Sequence, residues 1–166
     1  MLMTLATFRL VSRRGLALMA GLTLLLGGCA HKPRPAPPPK PPVLTITVNS
    51  AAGLNPDPRS GAPSPVVVRI YQLASASEFM NADFNAIYRN EAATLGKALI
   101  AKQELTAFPG ERSTQKLELA SETRALAVLV AFSNIEHAQW RVTGAANTHP
   151  MVLTLGANTV QLAPQD

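Results

Sequence analysis

Hydrophobic and polar residues alternate strictly over "VLTITVNS" (43–50). Leu44, Ile46 and Val48 fall on one side, Thr45, Thr47 and Asn49 on the other. A period of two predicts a half-buried strand. "VVVRIYQL" (66–73) is a second strand, rich in β-branched residues. The period then changes. Met80, Phe84, Ile87 and Tyr88 recur at helical spacing, so one helix or two short ones are expected over 78–95. Ser75 and Glu78 have the spacing of a capping box, and Gly96 is a suitable stop. Strand patterns resume in "LIAKQELTAF" and "STQKLELA", which flank a Pro109-Gly110 pair suited to a type II turn. "RALAVLVAFSN" (124–134) is nearly all apolar, as a central strand is. "AQWRVTGA", "MVLTLGA" and "TVQLA" bring the total to about eight short strands and one helical insertion. The expected fold class is mainly β, a two-sheet antiparallel sandwich over residues 43–166.

The stretch between the first two strands, "AAGLNPDPRSGAPSP" (51–65), has two glycines and four prolines. It can extend neither a strand nor a helix, and it is long for a hairpin connection. Long loops of this kind in small domains are often functional.

Ahead of the domain the pattern is different. Residues 1–28 hold Arg9, Arg13 and Arg14, no acidic residue, and an uncharged, largely apolar run from Gly15 to Gly28. That run is shorter than the about 20 residues a bilayer core requires, and the order is that of a secretory signal. Leu26, Gly27 and Gly28 precede Cys29, the only cysteine. The segment resembles a bacterial lipobox, in which the cysteine thiol takes a diacylglycerol. The signal is then cut before the cysteine and the new amine is acylated. A thiolate has the nucleophilicity this needs. Covalent lipid on Cys29 is thus expected, with no other cofactor. Ala30, rather than an aspartate, follows Cys29, which by resemblance to known sorting signals implies the outer membrane. Residues 29–42 then form a tether. Its "HKPRPAPPPKPP" run carries seven of the 14 prolines and favours polyproline II, about 40 Å when extended.

Charge follows the same division. Of 15 Lys and Arg, three lie in the signal and three (Lys32, Arg34, Lys40) in the tether; residues 43–166 hold nine basic against ten acidic residues. The high pI therefore belongs to the targeting segment and argues nothing for nucleic acid. The sequence has no H-E-x-x-H, C-x-x-C, G-x-S-x-G or P-loop pattern, and His31, His137 and His149 have no ligand-like neighbours. Glu104, Glu111, Glu118 and Glu122 read as a solvated face. The expectation is a binding protein, with no catalytic and no metal site.

Four blocks carry a resemblance: "SPVVVRIYQL" (64–73), "FMNADFNAIY" (79–88), "LTAFPGERSTQKLEL" (105–119) and "ALAVLVAFSNIEHAQWR" (125–141). Together with the lipobox, they are similar to the TssJ (SciN-like) outer-membrane lipoproteins of the type VI secretion system. The resemblance implies a transthyretin-like sandwich facing the periplasm. It implies binding to the C-terminal periplasmic region of TssM, with TssL and TagL-like proteins as indirect partners. It also implies that the loop between the first two strands contributes to that binding, here Leu54, Asn55, Pro56, Asp57, Pro58 and Arg59 at its tip. The competing expectation is a lipid-anchored periplasmic carrier or cell-wall-binding module, with Trp140 exposed in a groove.

Overall fold

A computed structural model describes residues 40–165. The expected signal segment, Cys29 and the tether up to residue 39 lie outside the described residues. Eight strands are present: β1 (Val43–Ser50), β2 (Val66–Leu73), β3 (Leu99–Ala107), β4 (Arg112–Glu118), β5 (Ala125–Val130), β6 (Arg141–Ala145), β7 (Met151–Leu155) and β8 (Val160–Pro164). They form two four-stranded sheets, ordered β4-β1-β7-β8 and β3-β2-β5-β6. The sandwich is as expected, with one departure: β1 and β7 pair in parallel, Ile46 opposite Met151 and Ser50 opposite Leu155.

Alternation explains the main core. Leu44, Ile46 and Val48 of β1 meet Val66, Val68 and Ile70 of β2, Leu126, Val128 and Val130 of β5, and Leu153 and Leu155 of β7 between the sheets. The other face of the second sheet is covered by the helical insertion. There Tyr71, Leu73, Ala127 and Leu129 pack under Phe79, Ile87 and Leu95. Strand β5 is therefore buried on both faces, which is why "ALAVLV" shows no polar alternation. Among the described residues both clusters draw on positions between 44 and 162, which supply a core of their own.

The insertion is α1 (Ser77–Asn81) and α2 (Phe84–Leu95), and α2 is itself kinked at Asn90, whose φ of −147° and ψ of 61° are not helical. Ala82 is extended, and the Asp83 carboxylate accepts from the Ala86 N–H at 2.9 Å, an N-cap that restarts the helix. The break redistributes the apolar face. Phe79 is buried and Met80 is 43% exposed, so Met80 does not share a face with Ile87. The capping box is not formed either, since no side chain caps α1; Ser75 Oγ instead accepts from the Ser77 N–H. Gly96 does end α2. Its N–H donates to Ala92 O with φ at 51°, a conformation that favours glycine.

A polar network fastens α2 to the second sheet. Glu91 accepts from the Tyr71 hydroxyl at 2.9 Å and pairs with Lys102 of β3 and with Arg69 of β2. Arg69 also donates to Glu104 at 2.7 Å and to the Tyr88 carbonyl at 2.8 Å. Burial pushes the Tyr71 phenol well above its ordinary value, and the Glu91 carboxylate adds to that, so it remains a donor. For Glu91, burial works upward, but hydrogen bonds from Lys102 and Tyr71 outweigh it and hold the carboxyl below its usual range. A depressed folded-state value stabilises above the unfolded pKa and is lost as pH falls through the folded one. Glu91→Gln should therefore cost about 1–2 kcal/mol at pH 7. Urea unfolding should show that difference from the parent shrinking towards pH 3.

Candidate partner-binding site

The segment 51–65 joins β1 to β2 at one end of the sandwich. It holds neither strand nor helix, but it is ordered by cross-links of its own backbone. The Ser64 N–H donates to Leu54 O at 3.0 Å, and the Asp57 N–H donates to Ala62 O at 2.8 Å. Beyond the second link only Pro58, Arg59, Ser60 and Gly61 remain as the tip. Pro58, Arg59 and Ser60 are exposed, and Pro56 and Asp57 half-buried.

Leu54 and Asn55 are not at the tip. Leu54 is 0% exposed and belongs to the main core, where it plugs the open end of the sandwich. An apolar side chain directly after the Gly53 turn gains more from that core than from water. Asn55 is 3% exposed and adopts φ 49°, a left-handed conformation that asparagine tolerates better than most residues. It ties together three segments. Its N–H donates to Ala157 O at 2.9 Å in the β7–β8 turn. Its Oδ1 accepts from the Ser133 N–H at 2.7 Å in the β5–β6 connection. Its Nδ2 donates to Ser64 Oγ at 2.9 Å and Pro65 O at 3.0 Å, closing its own loop. Ser64 returns a bond to Asn55 O at 2.7 Å. Sequence reasoning missed Ser64, Ser133 and Ala157, because two of them reach Asn55 only through tertiary pairing. The one local signal was an Asn-Pro step, which marks a turn.

The tip has its own geometry. Asp57 Oδ1 accepts from the Ser60 N–H at 2.8 Å, the Ser60 hydroxyl at 3.0 Å and the Arg59 N–H at 3.0 Å. These bonds, Ser60's first, hold the Asp57 carboxyl below its ordinary range. Among the described residues the Arg59 guanidinium pairs with no carboxylate. The tip thus offers one fixed anion and one free cation to a partner surface.

Trp140 is half-buried and already engaged. The Arg141 guanidinium lies 4.6 Å from its ring centre, and Phe84 meets it edge-on at 5.4 Å. Arg141 in turn donates to Phe79 O and Ala82 O, closing the end of α1. Glu104 is drawn into the Arg69 pair, while Glu111, Glu118 and Glu122 are exposed. Among the described residues no three His, Cys, Asp or Glu side chains gather as metal ligands. No described helix is long and apolar enough to cross a membrane.

The sequence pattern of one family, the type VI secretion lipoproteins VasD, EvfM and TssJ, matches residues 42–164. The chain belongs to that family. It is similar to the T6SS lipoprotein TssJ1 of Pseudomonas aeruginosa, with 29% identity and a TM-score of 0.71 over 76% of this chain and 98% of that one. It is also similar to Lip of Serratia marcescens, a membrane-bound component of the type VI secretion system, with 18% identity and a TM-score of 0.69 over 76% and 99%. A chain in a structure described as the T6SS protein TssM C-terminal domain from EAEC shares the fold, with 24% identity and a TM-score of 0.64 over 75% and 99%. No protein of curated function matches. The TssJ family is a structural component of the secretion system rather than an enzyme family, and the sandwich with its helical insertion is the family's fold.

Proposed function

We propose that the protein is an outer-membrane lipoprotein of the type VI secretion membrane complex, and that it anchors the complex by binding the periplasmic C-terminal region of TssM. The observation that carries this reading is the polarity of β1. The tether enters at Val43 and the ordered loop leaves at Ser50, about 23 Å away along an eight-residue strand. In this reading the tether joins the sandwich at one end of β1, and the partner is met at the other. Family membership supports the reading, as does this fold's presence in a structure named for the TssM C-terminal domain.

In this reading residues 1–28 are removed as a signal, and Cys29 carries a diacylglycerol and an N-linked acyl chain. More than one chain gives stable attachment. Residues 29–42 are the stand-off between bilayer and domain. Pro56, Asp57, Pro58 and Arg59 touch the partner, while Leu54 and Asn55 hold them in place. TssL and TagL-like proteins join through TssM. Shared attachment to one assembly raises the local concentration of the two surfaces.

The test separates this reading from a cell-wall-binding module. Purified TssM periplasmic C-terminal region should bind the chain from residue 30 onward in titration calorimetry. Muropeptide should leave Trp140 fluorescence unchanged, because the half-buried ring is already engaged by Arg141 over one face and by Phe84 edge-on. Strong quenching by muropeptide, with no heat on adding TssM, would reverse the assignment.

A further inference from the structure

Three large hydrophobic side chains are markedly exposed among the described residues: Val43 (47%), Met80 (43%) and Phe108 (46%). Val43 lies where the tether enters, and Met80 lies on α1 beside Thr143 of β6. Phe108 alone is at the loop end. It is the first residue of the β3–β4 turn, Phe108-Pro109-Gly110-Glu111. The Glu111 N–H closes that turn on Phe108 O at 3.2 Å, and Gly110 takes φ 73°, as a type II turn requires.

This turn is fixed to the start of the 51–65 loop. The Gly110 N–H donates to Ala51 O at 3.1 Å, and the Ser50 N–H donates to Glu111 O at 2.9 Å. A Cβ added at Gly110 would sit 3.9 Å from the Ala52 Cα, so the two backbones are in contact. Phe108 therefore stands beside the loop on a hydrogen-bonded turn whose conformation is already set. An exposed aromatic costs stability in water and gains when a partner covers it. Its two χ angles and the fixed turn leave little freedom to lose on binding. Interfaces concentrate their free energy in a few such aromatic anchors surrounded by weaker polar contacts, and the Asp57–Arg59 tip supplies polar contacts of that kind.

We propose that Phe108 is the apolar anchor of the partner surface, and that TssM's periplasmic C-terminal region presents an apolar pocket to receive it. The proposal rests on the reading above, and it moves the centre of the interface from the loop tip to the seam between the loop and the β3–β4 turn. The polar tip then orients the partner, and the phenyl ring slows its release.

The experiment compares Phe108→Ser, Val43→Ser and Met80→Ser in the chain from residue 30 onward, each titrated with the purified TssM region. Phe108→Ser should weaken binding about tenfold or more. Phe108→Leu should keep most of the affinity, since it retains apolar area. The two control variants remove similar exposed area elsewhere and should bind within about twofold of the parent. Thermal unfolding of all four variants should match the parent, because each side chain is about half in water. Unchanged affinity for Phe108→Ser, with binding lost on replacing Pro56–Pro63 by Gly and Ser, would overturn the anchor and leave the TssM reading standing. Absence of binding by the unaltered chain would overturn both.

Discussion

Asn55→Ala is expected to lower the unfolding free energy by about 3 kcal/mol and the midpoint by roughly 10 °C. The change leaves the Ser133 N–H and the Pro65 carbonyl without their side-chain partner. Each is only part-buried, so water recovers some of the loss. The remainder is conformational, because alanine in the left-handed region costs about 1 kcal/mol. Asn55→Gly separates the two causes, since it loses the same side-chain bonds and accepts φ 49° freely. It should recover that last increment in urea unfolding. The functional effect should be larger than the loss of stability. Without the Asn55 side chain the 51–65 loop loses its fastening to the β5–β6 connection and to its own Ser64–Pro65 end, and only the backbone bond to Ala157 in the β7–β8 turn remains. Partner affinity at 20 °C, where the variant is still folded, should then fall further than for Arg59→Ala.

Cys29→Ala should remove the protein from the outer membrane and abolish type VI secretion. No other residue offers the thiol that lipid attachment needs, because Cys29 is the only cysteine. The effect should be all-or-none. The signal processing that follows lipidation also fails, so an uncleaved, larger form should accumulate. Fractionation with immunoblotting checks both size and location. The chain from residue 30 onward, which lacks position 29, should still bind TssM, which separates anchoring from recognition.

Much of this fold was legible because burial is periodic. Leu44, Ile46 and Val48 of β1 are buried as their alternation says, and Gly96 and Gly110 stand where positive φ is needed. The uniformly apolar "ALAVLV" correctly read as a central strand, since helices cover its second face. The parallel β1–β7 pair was not legible. Periodicity says which face of a strand is buried but not which distant strand lies beside it. The helical region failed in register for a related reason. Spacing from Met80 to Phe84 assumes an unbroken helix, whereas Asp83 caps a new one and turns Phe79 inward instead.

The candidate site divides in the same way. Length and proline content singled out the 51–65 loop, and the Asp57-Pro58-Arg59 tip is exposed or half-buried as a surface must be. Leu54 and Asn55 were misplaced to the tip because nothing in their own stretch reveals that the sandwich end is open and needs a plug. Phe108 escaped notice because a lone phenylalanine beside Pro-Gly reads as the end of a strand. Its exposure depends on how the β3–β4 turn meets the loop.

The central claim, that the loop end of the sandwich holds TssM, is tested most directly by one titration. Residues Pro56–Pro63 are replaced by a Gly-Ser stretch of equal length, with Leu54, Asn55, Ser64 and Pro65 retained to keep the core plug and its hydrogen bonds. The variant and the parent, both from residue 30 onward, are titrated with purified TssM periplasmic C-terminal region after their unfolding curves have been matched. The account predicts that binding falls at least a hundredfold while the unfolding midpoint moves by only a few degrees. Equal affinity in the two titrations would contradict it.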